Sequence, residues 1–495
     1  FKKAEKNFRE VNSLNMLGYV FKGYGDILLY RGLTGESEKE YLESLNYFND
    51  STDIIAIGLV LNSLANIYLN QGDNSKAVQF FMKTLKYYEA ADLEVGRGEV
   101  YYGLGLAAAN QGNNEEAEEH FIKAKMHFVK ANYPLGEGNV HYGMGVVWMN
   151  TGNNEAAIEE NIKAIAIFKK FDYILGMGNA YTNLGLLAGN ISSFNDAKNY
   201  NDSALICFAK LDYILGEGSV YLNFGALSIN TGEHTKAIEY YNKAIELHTK
   251  AGYNLGIGKG YQGISTVAVN TGDNKKAEEA ANKAIKYFEL AGFKSGIGNI
   301  YELLAAMNMN AGNLDKAEEL LAKALKYYSD ADFIIGMGNT HYTLGQIAVI
   351  RGNYTKAIVE NQKAILYYEK SGYLLGLGNV NYMLGQISLI SEGDLDGVIT
   401  YNNKALKFYK EAKYTLGMGK VAYSKGTIFL IRSRYDEAVE EIKTALKYFS
   451  ASDYGFFQIL GHFALADIYM QQQGKKELAL DGLKQAIEQL EKFRS

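Results

Sequence analysis

The apolar residues of this chain follow a pattern that predicts two helices in every unit of 40 residues. In the unit that begins at Gly216, segments 218–231 and 236–251 both carry apolar side chains at steps of three and four, as amphipathic helices do. The apolar positions are Val220, Tyr221, Phe224, Leu227 and Ile229 in the first segment, and Ala237, Ile238, Tyr241, Ala244, Ile245 and His248 in the second. Each unit is therefore predicted to be a helix, a tight turn, a second helix and a short linker.

A turn residue between the two predicted helices keeps the register along the chain. Glycine suits this place, because the left-handed conformation that ends a helix is favourable mainly for Gly and Asn. The set is Gly32, Gly72, Gly112, Gly152, Gly232, Gly272, Gly312, Gly352, Gly393 and Gly474, with Ser192 and Ser433 in the same slot. The end of a preceding repeat, 1–13, is followed by twelve repeats in 14–493. We predict an all-α fold, a single continuous solenoid over 1–495.

A Gly-x-Gly pair opens most of the units. The pairs are Gly96/Gly98, Gly136/Gly138, Gly176/Gly178, Gly216/Gly218, Gly256/Gly258, Gly296/Gly298, Gly336/Gly338, Gly376/Gly378 and Gly417/Gly419. Dinucleotide-binding loops contain similar glycines, but these follow a strand, whereas a predicted helix precedes each pair here. We expect the pairs to form the turn from one helix pair to the next.

Small and aromatic residues also recur in register. Small residues that predict close helix contacts are Gly105, Gly145, Gly185, Gly225, Gly345 and Gly385 in the first helices, and Ala77, Ala117, Ala157, Ala197, Ala237, Ala277, Ala317 and Ala357 in the second. Aromatic pairs near the ends of second helices are Tyr87-Tyr88, Tyr287-Phe288, Tyr327-Tyr328, Tyr367-Tyr368 and Tyr448-Phe449. We expect these pairs to fill the space between successive units.

These residues resemble a known motif. Tyr221-x-x-Phe224-Gly225, followed by Ala237, Tyr241 and Ala244, is similar to the tetratricopeptide repeat (TPR). The 40-residue length and the Tyr-x-x-Gly-x-Gly linker resemble the longer variant found in Pins-type polarity adaptors and bacterial sensor arrays. The resemblance implies a right-handed α-solenoid superhelix of about twelve TPR-like repeats, with a concave groove that binds a protein or peptide segment.

Composition excludes several other classes of function. The net charge of −6 and the isoelectric point near 5.8 provide no basic surface for nucleic acid. Cys207 is the only cysteine, which suits a reducing compartment such as the cytoplasm. Histidines, carboxylates and Cys207 form no spacing typical of metal or catalytic sites, so we expect no enzyme activity, no metal and no cofactor. We also expect no membrane span. The chain opens in the middle of a repeat at Phe1, so we expect a fragment of a longer protein.

An asparagine column is the strongest candidate for a binding surface. Two residues before the turn position stand Asn70, Asn110, Asn150, Asn190, Asn230, Asn270 and Asn310, whereas the next three units carry Ile350, Ile390 and Ile431. The TPR resemblance implies that this position faces the groove. It implies the same for Asn139, Asn179, Asn299, Asn339 and Asn379 at the start of the first helices, and for Tyr142, Tyr342 and Tyr382.

Two interpretations of the column remain open. An asparagine amide offers donors and an acceptor, so a row of them is suited to the backbone of an extended peptide. Asparagine near the end of a helix is also a common capping or turn residue before glycine. The change to isoleucine while Gly352 and Gly393 persist favours a specialised surface.

Three functions are compatible with such an array. The leading hypothesis is a non-enzymatic scaffold or adaptor that binds a partner segment in its groove. The first alternative is a structural building block of a filament, a cilium or another large complex, with end-to-end self-assembly through open solenoid ends. The second alternative is the sensor array of a larger signalling protein.

Overall fold

A computed structural model describes residues 1–30, 33–48, 53–191, 193–451 and 455–494. These residues form 25 helices and no strand. The first helices of the repeats (helices A) are α2 Leu14–Tyr30, α4 Ile54–Gln71, α6 Glu94–Gln111, α8 Pro134–Thr151, α10 Ile174–Asn190, α12 Ile214–Asn230, α14 Asn254–Asn270, α16 Lys294–Asn310, α18 Ile334–Ile350, α20 Leu374–Glu392, α22 Thr415–Ile431 and α24 Gly455–Gln471.

The second helices (helices B) alternate with them. They are α3 Thr34–Phe48, α5 Asn74–Ala90, α7 Asn114–Lys130, α9 Asn154–Lys170, α11 Phe194–Ala209, α13 His234–Ala251, α15 Asn274–Ala291, α17 Leu314–Ser329, α19 Tyr354–Ser371, α21 Leu395–Glu411, α23 Tyr435–Ala451 and α25 Lys476–Arg494. A half-repeat, α1 Lys2–Glu10, precedes α2. The all-α solenoid of about twelve helix–turn–helix repeats is therefore confirmed.

The chain divides into two compact units. Unit 1 comprises residues 1–150 and 154–340, and unit 2 comprises residues 151–153 and 341–495. The boundary falls within α18 rather than in a linker. Each unit is described separately below, and the single continuous body stays a prediction.

The turn residues between helices A and B adopt the predicted left-handed conformation. Gly112, for example, follows α6 with a φ of 82°, and its N–H donates to a carbonyl in the last turn of that helix. Ser433 takes the same conformation with a φ of 56°. Gly32 and Ser192 lie outside the described residues.

The prediction for the Gly-x-Gly pairs is wrong in its location. Gly96 and Gly98 lie inside α6, and the left-handed residue between one repeat and the next stands earlier, at Asp92 with a φ of 49°. These glycines are required for space rather than for turning. A Cβ on Gly98 would lie 2.5 Å from the Phe128 ring, closer than atoms in contact tolerate.

Each pair encloses the rings of two neighbouring repeats. The first glycine, such as Gly136, contacts the ring of the preceding helix B, here Phe128, and the second, Gly138, contacts the ring of its own repeat, Phe168. We call this buried position near the end of helix B the ring slot. Its occupants are Phe48, Tyr88, Phe128, Phe168, Phe208, His248, Phe288, Tyr328, Tyr368, Tyr409 and Phe449. The predicted role of the aromatic pairs is thus confirmed for their second members.

The small residues bring the two helices of each repeat together, as predicted. Ala77, Ala157 and Ala357 are fully buried. Gly105 on α6 faces the Phe121 ring of α7, where a Cβ would lie only 2.7 Å from the ring. Close backbone approach therefore offsets the cost of about 1 kcal/mol that glycine carries within a helix.

Unit 1 winds far enough to contact itself. The Ser75 hydroxyl donates to Asp332 Oδ2 at 2.6 Å, although the two residues are 257 positions apart in the chain. Nearby, Gly72 packs against the Phe293 ring and Gly292 against Gln71. We call this contact the seam of unit 1.

One helix has the length and apolar composition of a membrane span, although the sequence predicts none. Helix α4, Ile54–Gln71, is long and apolar enough to cross a membrane by length and composition, with a mean hydropathy of 1.4. Half of it is buried, and Val60, Leu64 and Ile67 belong to the core that α4 shares with α5 and α6. Among the described helices it is the one such candidate.

Candidate functional site

The groove of unit 1 is lined by helices A. Two neighbouring cavities, of about 740 and 540 Å³, lie over α10, α12 and α14. The larger cavity also reaches Asp26, Ser63 and Asn70 of earlier repeats, because unit 1 curves around it. The cavity walls thus come from several repeats, and each repeat contributes a similar face of its helix A.

Helical periodicity explains which residues line this floor. The cavities lie over residues three and four positions apart, which share one face of a helix. The residues on this face are Asn179, Thr182, Asn183 and Leu186 on α10, Ser219, Leu222, Asn223 and Ala226 on α12, and Lys259, Gln262, Gly263 and Thr266 on α14. Amides and hydroxyls predominate, so the floor is polar with little charge.

Polar contacts join part of this surface to neighbouring repeats. Asn223 Nδ2 donates to the Thr182 carbonyl of the preceding helix A at 2.9 Å. Asn183 has a buried Nδ2, and its side chain interacts with the Tyr142 hydroxyl of the helix A before it.

The asparagine column divides into two groups. Asn70, Asn110 and Asn150 line a third cavity of unit 1, of about 340 Å³, and Asn230 lines the 540 Å³ cavity. Asn190, Asn270 and Asn310 are exposed and line none of these three cavities. Only Asn150 has a described side-chain hydrogen bond, from its Nδ2 to the Ala109 carbonyl at 3.0 Å. This bond joins α8 to the end of α6 and does not cap its own helix.

The asparagines at the start of helices A also differ among themselves. Asn179 lines the 740 Å³ cavity and Asn299 lines the 340 Å³ cavity, whereas Asn139, Asn339 and Asn379 line none of the three cavities. Two of these amides accept hydrogen bonds from tyrosines in the ring slot. The Tyr328 hydroxyl donates to Asn299 Oδ1 and the Tyr409 hydroxyl donates to Asn379 Oδ1, both at 2.8 Å.

The three predicted groove tyrosines occupy different surroundings. Tyr142 lines the 740 Å³ cavity, and burial raises the pKa of its hydroxyl. Tyr342 packs against the core around Tyr368, and Tyr382 packs against the core around Tyr409. Burial raises the pKa of Tyr342 and of Tyr382 as well. The ligand-contact role of all these asparagines and tyrosines stays a prediction.

In unit 2 the isoleucines that replace the asparagine column are exposed to solvent. Ile350, Ile390 and Ile431 are 60%, 56% and 58% exposed. They stand at the ends of α18, α20 and α22, outside the helix-pair core.

Sequence reasoning missed several residues of the groove floor, among them Asn183, Gln262 and Lys259. Their signal was available, because Asn183 follows the same face as Asn179 and Lys259 stands at the repeat position of Asn179. Asparagine columns do not trace whole faces of helices, so the one lysine on this face, Lys259, is absent from the prediction.

The sites that bind metals or catalyse reactions in other proteins usually bring several ligating side chains together. In the described part of the chain no group of three His, Cys, Asp or Glu side chains is close enough to hold a metal ion. Cys207 is buried at the end of α11, and burial raises the pKa of its thiol.

Comparison with known proteins supports the repeat assignment. Two segments, residues 62–137 and 218–248, match family models described as tetratricopeptide repeat. No curated protein matches the sequence.

Solved structures resemble the fold at low sequence identity. A Rap protein complexed with Competence and Sporulation Factor matches with a TM-score of 0.51 and 13% identity, covering 72% of this chain and 99% of that one. Yeast Tom70 matches with a TM-score of 0.46 and 14% identity, covering 96% of each chain. The matched segments, the helix pairs and their glycine and alanine contacts agree, and together they support an array of tetratricopeptide repeats.

Proposed function

We propose that this chain is a binding scaffold whose unit 1 groove holds an extended polypeptide segment. The carrying observation is the floor over α10, α12 and α14, where uncharged amides and hydroxyls line two adjoining cavities. Such a floor is suited to the peptide backbone, which offers a donor and an acceptor at nearly every residue.

The dimensions of the groove favour a polypeptide over a compact ligand. The two cavities adjoin through Thr182, Asn183, Ser219, Tyr253 and Lys259, which line both. Their polar residues are spread over several repeats rather than gathered around one point. A linear ligand is able to reach all of them, whereas a small molecule would contact only part of the set.

A structural relative provides a precedent for ligand binding by this fold. The Rap protein whose fold this chain shares was solved with Competence and Sporulation Factor bound. The groove supports the same class of function here, with a partner selected by the chemistry of this floor.

The experiment compares two triple variants of the same residue type. Asn179→Ala, Asn183→Ala and Asn230→Ala remove three amides that line the cavities. Asn190→Ala, Asn270→Ala and Asn310→Ala remove three exposed amides that do not line these two cavities. A synthetic pool of peptides about eight residues long, with randomised side chains, is incubated with each protein, and retained peptides are measured by mass spectrometry.

The groove variant should retain at least about tenfold less peptide, because each lost hydrogen bond contributes about 0.5–1.5 kcal/mol. The control variant should retain as much as the wild type, and both should melt near the wild-type temperature. Equal retention by the two folded variants would reject binding at this floor.

A further inference from the structure

Helix α7 carries an apolar ridge on a surface of unit 1 that lies outside the groove cavities. Ile122, Met126 and Val129 follow one another at steps of four and three, so they share one face of the helix. They are 67%, 62% and 55% exposed, and none of them lines the 740, 540 or 340 Å³ cavity. Three large apolar side chains in a row on one exposed face indicate a surface that another protein covers.

The ridge continues on the helices B of the two adjoining repeats. Met82 on α5 and Ile162 on α9 stand at the repeat position of Ile122, and both are exposed. The same position is polar in the repeats that follow, with Asp202 on α11 and Asn242 on α13. The apolar surface is therefore confined to three successive repeats, with α7 at its centre.

Charged residues divide α7 into two halves. The first turns carry Glu115, Glu118 and Glu119, and the later turns carry Lys123 and Lys125. Burial and then the nearby Glu115 carboxylate raise the pKa of Glu118, so negative charge is concentrated in the first half. The helix is thus acidic at one end of its face and basic at the other.

Other helices B neutralise the same charges internally. Glu319 and Lys323 on α17 form an ion pair at 2.9 Å. Glu119 and Lys123 hold the same repeat positions on α7, but they form no described ion pair, and the Lys123 ammonium lies 5.9 Å from the centre of the Tyr101 ring. Helix α7 therefore keeps charges of both signs for a partner.

We propose that the exposed face of α7 is the contact between two copies of this chain, related by a two-fold axis perpendicular to the helix. Such an axis brings the same surface of both copies together and makes the two helices antiparallel. The acidic half of each α7 then lies against the basic half of the other, while Ile122 and Met126 meet near the axis. The charge pattern of α7 is thus complementary to itself.

The flanking repeats supply the rest of the contact. Met82 and Ile162 lie on either side of α7 and extend the buried area toward the ~800 Å² per partner of a standard interface. A two-fold contact closes after two copies, whereas stacking of open solenoid ends adds further copies. The two modes of assembly therefore differ in the size of the product.

The first test is sedimentation equilibrium of the whole chain at about 1 to 100 µM, the range of moderate protein affinities. Met126→Glu places a carboxylate in the ridge. Leu366→Glu is the matched control, because Leu366 has the same repeat position on α19 of unit 2 and is 67% exposed. Melting temperatures establish that each variant is folded.

The wild type should form a dimer and no larger species within this range. Met126→Glu should raise the dissociation constant at least about tenfold, because it buries a charge at the centre of the contact. Leu366→Glu should dimerise as the wild type does. Added salt should weaken the wild-type dimer, since ion pairs contribute to it.

The second test reverses the charges of one half at a time. Glu118→Lys with Glu119→Lys makes the face of α7 mainly basic, and Lys123→Glu with Lys125→Glu makes it mainly acidic. Each double variant alone should be monomeric, because like charges then face each other across the axis. An equimolar mixture of the two should form a dimer that contains one copy of each.

Four results would overturn the inference. A wild type that stays monomeric over the whole range rejects the contact, as does a dimer that Met126→Glu leaves unchanged. Species that keep growing with concentration would show end-to-end stacking in its place. Charge-reversed variants that fold but do not associate when mixed would reject the antiparallel pairing of α7.

Discussion

Asn179 and Asn299 hold the same repeat position in unit 1, yet the two side chains make different contacts. Below Asn179 the ring slot holds Phe208, and the amide lines the 740 Å³ cavity without a described hydrogen bond. Below Asn299 the slot holds Tyr328, whose hydroxyl donates to the amide oxygen. One buried oxygen atom thus decides whether the asparagine supports the core or is available to a ligand.

The repeat formed by α4 and α5 has a tyrosine in the ring slot but no asparagine to accept its hydrogen bond. The slot of its helix B holds Tyr88, but Leu59 stands where the other two repeats have asparagine. The Tyr88 hydroxyl is buried without a hydrogen-bond partner among the described residues, and burial raises its pKa. Conservation of the helix pair is therefore compatible with large differences in local hydrogen bonding.

The largest expected effect is common to the two repeats compared. Gly178→Ala would place a Cβ 2.5 Å from the Phe208 ring, and Gly298→Ala would place one 2.5 Å from the Tyr328 ring. We expect each to lower the free energy of unfolding by about 2 kcal/mol, because overpacking outweighs the gain in helix propensity. Urea unfolding followed by circular dichroism measures this. Gly35→Ala, where no atom lies within 4 Å, is the control and should be neutral or stabilising.

If Gly178→Ala proved as mild as Gly35→Ala, the ring slot would be looser than the structure shows. If Gly178→Ala and Gly298→Ala differed strongly, the phenylalanine and tyrosine slots would differ in packing and not only in hydrogen bonding.

Removing the hydroxyl of the ring-slot tyrosine should change stability differently in different repeats. Tyr328→Phe breaks the bond to Asn299 and a second contact, 2.7 Å from Glu302 Oε2, so we expect a loss of about 1–3 kcal/mol in unfolding free energy. Tyr88→Phe removes a hydroxyl that has no described partner, so it should be neutral or stabilising. Urea unfolding of the two variants checks the difference, and equal losses would contradict it.

The smallest effect concerns the repeat whose slot holds a histidine. His248 is fully buried, its Nε2 lies 3.3 Å from the Leu215 carbonyl oxygen, and burial lowers its pKa. The unfolded chain therefore takes up a proton first as the pH falls below about 6.5, and stability decreases on that side. His248→Phe, which restores the ring of neighbouring repeats, should remove this decrease.

Thermal melting of wild type and His248→Phe between pH 7.5 and about 5 measures that contribution. The two melting temperatures should diverge on acidification, with the variant the more stable. A constant difference across this range would show that His248 does not titrate on unfolding.

The fold was predictable because its determinants are local and repeated. The apolar spacing at Val220, Tyr221 and Phe224 and the glycine at 232 specify a helix, its face and its end without any distant contact. The Gly-x-Gly pairs were wrongly predicted to form a turn. Glycine is required there because the Phe128 ring of another helix packs against it, and the spacing of residues in the sequence does not reveal such a contact. Periodicity shows where the pairs recur but not which contact requires glycine at these positions.

The site was predictable only in part, for the same reason. Repeat position places Asn179, Asn230 and Asn299 toward the groove, but it does not show that a Tyr328 hydroxyl engages one of them. Nor does it show that Asp26, which lines the larger cavity, is paired with Lys22, whereas Lys259 in the same cavity forms no described ion pair. Partners from distant repeats decide which polar side chains are free.

The seam between Ser75 and Asp332 has a mechanical consequence. It joins two segments of unit 1 that are far apart in the chain, through one described hydrogen bond and the packing of Gly72 and Gly292 beside it. A pulling force along the coil would open this fastening before any helix pair separates, because the pairs are held by buried rings and the seam is not.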